Sequence, residues 1–215
     1  MLPQNVSEAS AAYESSPLVR SISVLTNASH FGMNIGRMRE VKARTTKPVL
    51  RKDFIFDEYQ IYEARAFGAD AILLMANLLR EDEMSRLHEL ALSLGMDALF
   101  ECHDRDQIHA VPKNAILYGI NSRTFAITGG DYAAARNQRA AGRREDLTTD
   151  LNRFEELAHD LPKHGIRIAE SGVRAENAAR LRDELGYHAI LVGTSLLTST
   201  AGVHAELGKF EAALA

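Results

Sequence analysis

The chain has 215 residues, of which 46% are hydrophobic and 25% charged, the balance of one globular domain with material for a large core, and this excludes general disorder. A net charge of −4 and a pI near 6.1 exclude a global attraction to nucleic acid or to an anionic membrane, so an anionic substrate needs a local site. The single cysteine, Cys102, excludes an intrachain disulfide framework and fits a reducing compartment, so the expected location is the cytoplasm. The first residues, with Glu8 and Glu14, hold no continuous apolar core, and no run reaches membrane-spanning length, so a soluble, unexported protein is expected.

Taken in order, Ser7 to Tyr13 predicts a short helix, and Ser21 to Thr26 is the first strand-like run, followed by a loop over Asn27 to Gly32. A helical period links Ile35, Met38 and Val41. Lys47 to Phe54 then gives a strand that stops abruptly on Arg51, Lys52 and Asp53. Asp57 is placed to cap a helix through Ile61, Ala64 and Phe67, with Gly68 ending it. Ala71 to Met75 is a buried strand, and Glu81 to Leu94 an amphipathic helix closed by Gly95. Ala98 to Cys102 is a strand carrying Glu101 at its end, and a short helix over Arg105 to Val111 leads to Ile116–Asn121, with Arg123 just beyond.

Regular alternation lapses from Phe125 to Leu147, where Gly129, Gly130 and four arginines read as an inserted loop over 126–146. Helical spacing returns at Leu151, Phe154 and Leu157. Ile166 to Ala169 is a strand that runs into Glu170-Ser171-Gly172, and Ala175 to Leu185 is a helix. Ala189 to Val192 is a last strand ending at Gly193-Thr194-Ser195, and a helix over Val203 to Leu214 follows. Seven apolar strands, each with a helical segment after it, predict one α/β domain over 1–215, a (β/α)8 TIM-barrel-like fold with one unit missing or replaced. Barrels of this kind take about 250 residues and one unit about 30, which matches the deficit. Two bare strand edges would be a pairing liability, to be managed by the N-terminal segment, the arginine-rich insert or a second subunit.

Polar residues gather at the strand ends, where such folds bind ligands. Lys52 reads either as a surface lysine neutralised by Asp53 or as a partly desolvated proton donor whose pKa is lowered by burial. Glu101 follows two apolar residues and needs a partner there, for which a salt bridge to Lys52 is the simplest choice. Such a pair serves structure or acid–base work equally. Arg123 reads as a grip for a carboxylate or as a rim contact to backbone carbonyls. Gly172 and Gly193, in the loops after the last two strands, together favour phosphate binding, with Thr194 and Ser195 beside the second. Cys102 and His103 make no metal or nucleophile site, and Cys102 reads as a small core residue.

With these residues in view, the sequence resembles the indole-3-glycerol phosphate synthase family. The segments that carry the resemblance are ISVLT (22–26), PVLRKDF (48–54), DEYQIYEA (57–64), GADAILL (68–74), GINSR (119–123), AESGV (169–173) and LVGTSL (191–196), over roughly Tyr13 to Leu197. The resemblance implies ring closure, decarboxylation and dehydration of 1-(2-carboxyphenylamino)-1-deoxyribulose 5-phosphate in tryptophan biosynthesis, with no cofactor and no metal. It implies Lys52 as general acid, Glu101 as the carboxylate that stabilises a cationic intermediate and acts as base, and Asn121 as an active-site amide. Phe54 and Phe125 would hold the anthranilate ring, Arg123 its carboxylate, Glu170 and Ser171 the substrate, and Gly172, Gly193, Thr194 and Ser195 the phosphate. The partner implied is therefore a small phosphorylated molecule, with a homo-oligomer as one way to cover the open edge. The family's first strand carries a glutamate, a lysine and a Ser-Pro-Ser segment, which do not precede Ser21 here, and Ser15-Ser16-Pro17 is not assigned that role. A non-catalytic relative that binds a phosphorylated ligand, and an enzyme for another phosphosugar, are the other readings.

Overall fold

The computed structural model describes residues 6–27, 34–123 and 149–215. The strands are β1 (Ile22–Leu25), β2 (Val49–Lys52), β3 (Ala71–Met75), β4 (Asp97–Cys102), β5 (Leu117–Asn121), β6 (Ile166–Glu170) and β7 (Ala189–Leu191). Every adjacent pair is parallel and the spatial order follows the chain, from β1 to β7. The result is a curled, TIM-barrel-like sheet, open between β7 and β1. The helices are α1 (Val6–Ser15), α2 (Gly36–Lys42), α3 (Glu58–Ala66), α4 (Glu81–Ser93), α5 (Arg105–Ala110), α6 (Asn152–Ala158), α7 (Ala175–Asp183), α8 (Thr194–Leu197) and α9 (Val203–Leu214).

Alternation of side chains along each strand splits the apolar residues into two cores. Ile72, Leu74, Phe100, Ile120 and their neighbours face outward and pack under the helices, while Leu50, Leu73, Met75, Leu78 and Leu99 fill the concave side. Leu73 and Met75 of the concave core line the cavity together with the polar groups at the carboxyl ends of the strands. Local chemistry sets the helix bounds. Asp57 accepts from Tyr59 N–H at 2.8 Å while the Gln60 side chain accepts from Asp57 N–H at 3.1 Å, a reciprocal cap at the start of α3. Gly68, at φ +91°, ends it as the sequence predicts.

One expectation changes in detail. β7 reads as a buried run, but Ala189 is exposed and Ile190 and Leu191 are half-buried, because nothing covers its free edge among the described residues. The N-terminal segment meets the gap with α1, at the place where Ser7 to Tyr13 predicts a short helix. α1 packs on α2 and α9, and the Lys47 ammonium gathers the carbonyls of Tyr13, Ser16 and Val19 at 2.5–2.7 Å at its end. The inserted loop over 126–146 lies outside the described residues, as does Phe125.

Candidate active site

The strand exits converge on one cavity of about 1120 Å³. β2 brings in Lys52, β4 Glu101, β5 Asn121 and β6 Glu170. The Lys52 ammonium lies 2.9 Å from Glu101 Oε2 and 2.7 Å from Glu170 Oε2, and both carboxylates are almost fully buried, at 2% and 0% exposure. Thus the expected Lys52–Glu101 pair is present, and Glu170 joins it as a third member. Register explains the convergence: Glu101 sits opposite Gly119 on β5, and Asn121 opposite Glu170 on β6. Gly119 is required, since a Cβ there would overlap Glu170 Oε1 and come within 3.3 Å of Leu99.

Asp53 is not the partner of Lys52. Alternation turns Lys52 inward and Arg51 and Asp53 outward. Asp53 accepts from Thr26 Oγ1 at 2.7 Å, Asn27 Nδ2 at 3.1 Å and Arg51 Nη2 at 3.3 Å, and Arg51 reaches on to Glu63 at 2.8 Å. This buried network ties the exits of β1 and β2 together behind the lysine.

The charges shift one another strongly. Burial alone would lower the pKa of Lys52, but the charges of Glu101 and Glu170 outweigh it and hold the pKa above the ordinary lysine value. The expected depressed lysine is therefore corrected: two carboxylates keep it an ammonium. Burial would raise Glu101, but the Lys52 charge and hydrogen bonds from Lys52 and Asn121 lower it to about 2. Glu170 goes the other way, to about 7, through burial and the neighbouring Glu101 charge, which Lys52 offsets only in part. One cation between two carboxylates cannot hold both as anions equally well. His103 Nε2 lies 3.7 Å from Glu101 Oε1, and burial lowers its pKa.

The split gives a pH test. Glu170 has an ordinary value of 4.5 and rises to about 7 on folding, so its contribution to stability is fully present below the lower value and is lost as pH rises through the higher. Glu101 shifts downward from 4.5, so its effect falls below that window. The unfolding free energy of the wild type minus that of Glu170→Gln should fall by up to about 3 kcal/mol between about pH 5 and about pH 8. Urea denaturation across that range checks it, and parallel pH profiles would rule the shift out.

Around this centre the other candidates take their places. Phe54 packs on the concave core and lines the cavity. Arg123 lines it too, and its Nε is buried with no hydrogen-bond partner among the described residues. Ser171 and Gly172 are consecutive left-handed residues at φ +67° and +68°, an uncommon conformation for serine. Ser122, which the sequence did not single out, holds them: its hydroxyl donates to Ser171 O at 2.8 Å, and its N–H to Glu170 O at 3.0 Å. Gly193 opens α8 with free space where a Cβ would stand, and Ser195 Oγ is buried without a hydrogen-bond partner among the described residues. Arg153, also missed, donates to Asn121 O at 3.0 Å and steadies the end of β5. Cys102 is wholly buried, and burial raises its thiol pKa, as befits a core residue. Among the described residues no three His, Cys, Asp or Glu side chains converge as a metal site, and no helix is long and apolar enough to cross a membrane.

Comparison with known proteins gives a consistent result. A family profile described as indole-3-glycerol phosphate synthase matches residues 2–128 and 137–207. The indole-3-glycerol phosphate synthase of Streptomyces griseus is 36% identical over 178 residues, covering 82% of this chain and 59% of that protein. That of Rhodococcus opacus is 37% identical over 193 residues, covering 89% and 64%. The chain thus spans about three fifths of the length of these relatives. Among solved structures, a 3-hexulose-6-phosphate synthase superposes with a TM-score of 0.68 at 12% identity, covering 98% of this chain and 92% of that one. N-(5'-phosphoribosyl)anthranilate isomerase from Pyrococcus furiosus gives 0.65 at 13%, covering 96% and 92%. At such identities these two likenesses bear on the fold alone.

Proposed function

This chain belongs to the indole-3-glycerol phosphate synthase family, and from that premise we propose that it converts 1-(2-carboxyphenylamino)-1-deoxyribulose 5-phosphate to indole-3-glycerol phosphate, as a carboxy-lyase of tryptophan biosynthesis in the cytoplasm. The observation that carries the reading is the Lys52 ammonium held between buried Glu101 and Glu170 at the strand ends of an open cavity. In this reading the ring carbon bearing the carboxylate bonds to the ketone carbon, while Lys52 donates a proton to the ketone oxygen. Glu101, an anion down to about pH 2, faces the cation that forms in the ring system and lowers its energy. The carboxylate leaves as carbon dioxide, and its bonding electrons restore the aromatic ring. The new hydroxyl then departs as water with one added proton, and the adjacent sugar carbon loses a proton to a carboxylate. The products are indole-3-glycerol phosphate, carbon dioxide and water, with one proton taken up net. Glu170, poised about 7, is suited to lend and recover the second proton, a larger part than the substrate contact read from the sequence.

Arg123, whose Nε has no hydrogen-bond partner among the described residues, is assigned to the substrate carboxylate, Phe54 to the aromatic ring, and Gly172, Gly193, Thr194 and Ser195 to the phosphate. Asn121 orients Glu101. Presence of the whole charged centre weighs against the non-catalytic reading, because two buried carboxylates around one half-buried cation are costly to keep without a use. The test is a fluorescence assay for indole-3-glycerol phosphate with the 215-residue chain. Turnover is the expected result; calorimetric binding of a substrate analogue without turnover would instead support the ligand-binding relative.

A further inference from the structure

One titratable side chain at the strand ends has no part in the chemistry assigned so far. His103 stands just past β4, two residues beyond Glu101, and alternation sends both side chains to the same face of the sheet. Its side chain is 10% exposed, and Nε2 lies 3.7 Å from Glu101 Oε1, while the other oxygen, Oε2, takes the Lys52 ammonium at 2.9 Å. Glu101 walls the cavity, and His103 is not one of the described residues that do. The imidazole therefore acts on a substrate only through Glu101.

The backbone under the ring is pinned. His103 N–H donates to Gln107 Oε1 at 2.8 Å, Gln107 N–H to Asp104 Oδ1 at 2.8 Å, and Gln107 Nε2 to Asp104 Oδ2 at 2.6 Å. The turn between β4 and α5 is thus fixed by its own side chains, and the freedom left to His103 is rotation of its ring. The charged groups that face it are Glu101 from β4, Asp104 at the start of α5 and Arg153 from α6. Burial, aided by Arg153, lowers its pKa against the pull of the two carboxylates. At neutral pH the imidazole is therefore uncharged, with one N–H to give.

The need for that N–H arises during ring closure. At rest Glu101 is held by Lys52 and by the Asn121 amide. Once Lys52 has passed its proton to the ketone oxygen, the ammonium is gone and a buried carboxylate has lost its main partner. A separation of 3.7 Å is too long for a hydrogen bond, yet a small turn of the ring closes it to about 2.9 Å. We propose that His103 is a positioning residue for Glu101, the reserve donor that closes on Oε1 and keeps the carboxylate in place and ionised while Lys52 is without its proton. The proposal rests on the synthase reading of the site. The His103 proton stays on Nε2 throughout. A neutral donor suits this task better than a second ammonium, because it adds no charge to repel the cation that forms in the ring system.

Two variants separate a donor from a filler of space. Gln sets its Nε2–H near the place of the imidazole Nε2–H, and Leu fills the volume with no donor. His103→Leu should lower kcat by about tenfold with KM close to that of the wild type, since a hydrogen bond to a charged group is lost where the transition state needs it. His103→Gln should recover most of that loss. Equal turnover in the two variants, or a loss confined to KM, would overturn the proposal.

The second measurement needs no turnover. In protein isotopically labelled in its histidine rings, the His103 signal is identified by magnetic resonance as the one missing from His103→Gln. It should report the proton on Nε2 and, in Lys52→Met, a pKa about one unit or more above that of the wild type. That variant imitates the centre after proton transfer: with no cation at Oε2, the Glu101 charge acts on His103 undivided. A proton on Nδ1, or a pKa unchanged or lowered because Glu101 itself takes up the proton, would overturn the proposal. Should Lys52→Met fail to fold, the wild-type ring proton and the Leu and Gln variants decide. Absence of turnover in the wild type would end the synthase reading and leave the ring-proton result standing, so the two failures are distinguishable.

Discussion

Synthase turnover should fall by about 10³-fold in Lys52→Ala, within the range that loss of a positioned acid produces. The effect is expected in kcat as well as kcat/KM, because the proton is needed most in the transition state. Lys52 is the one cation whose ion pairs with Glu101 and Glu170 lie within 3 Å among the described residues. Without it two buried carboxylates face each other, and Glu101 can no longer stay an anion down to about pH 2. Breaking a buried ion pair costs about 3–5 kcal/mol when a charge is left unpaired. Protonation of the carboxylates relieves that cost, so the stability gap between wild type and variant should narrow as pH is lowered. A gap that stays constant with pH, or turnover equal to wild type, would show that Lys52 does not hold the centre.

Gly119→Ala should be nearly as damaging, although the residue carries no functional group. The added methyl would overlap Glu170 Oε1, so Glu170 must turn out of the centre or the strands must part. Overpacking of this kind costs about 1–3 kcal/mol, and displacement of Glu170 should lower turnover by about 10²-fold. A double-mutant cycle with Glu170→Gln gives the check: the two losses should be strongly non-additive, because both act on one contact. Additive losses would place the effect of Gly119 elsewhere.

Much of this was legible in the chain, for reasons that can be traced to particular residues. Lys52 and Glu101 each interrupt a buried apolar run, so each demanded a partner, and the strand order brought them together. The alternative of a surface lysine neutralised by Asp53 falls away, since the period-two alternation of a strand already sends residues 52 and 53 to opposite faces. The family resemblance implied Glu170 as a substrate contact and did not pair it with Lys52. Its place beside Lys52, 118 residues earlier, depends on the β5–β6 register and on the missing side chain of Gly119. The direction of the lysine shift was likewise hidden, since it turns on having two carboxylates rather than one. The exposure of β7 could not be read from Ala189, Ile190 and Leu191, because a run of apolar residues does not say which strand lies at an edge.

The open seam also bears on how the chain reaches its fold. Among the described residues each strand pairs only with strands next to it in sequence, so each of these ladders can form as soon as the adjoining unit is in place, without waiting for β1 and β7 to meet. Chains dominated by such short-range pairings close small loops and fold faster than those that must join distant strands. Among the described residues the ends meet through α1 against α9, and through the Ser16 hydroxyl donating to Glu211 at 2.9 Å. Assembly can therefore proceed unit by unit along the sheet, with end-to-end docking as the last and most easily reversed event.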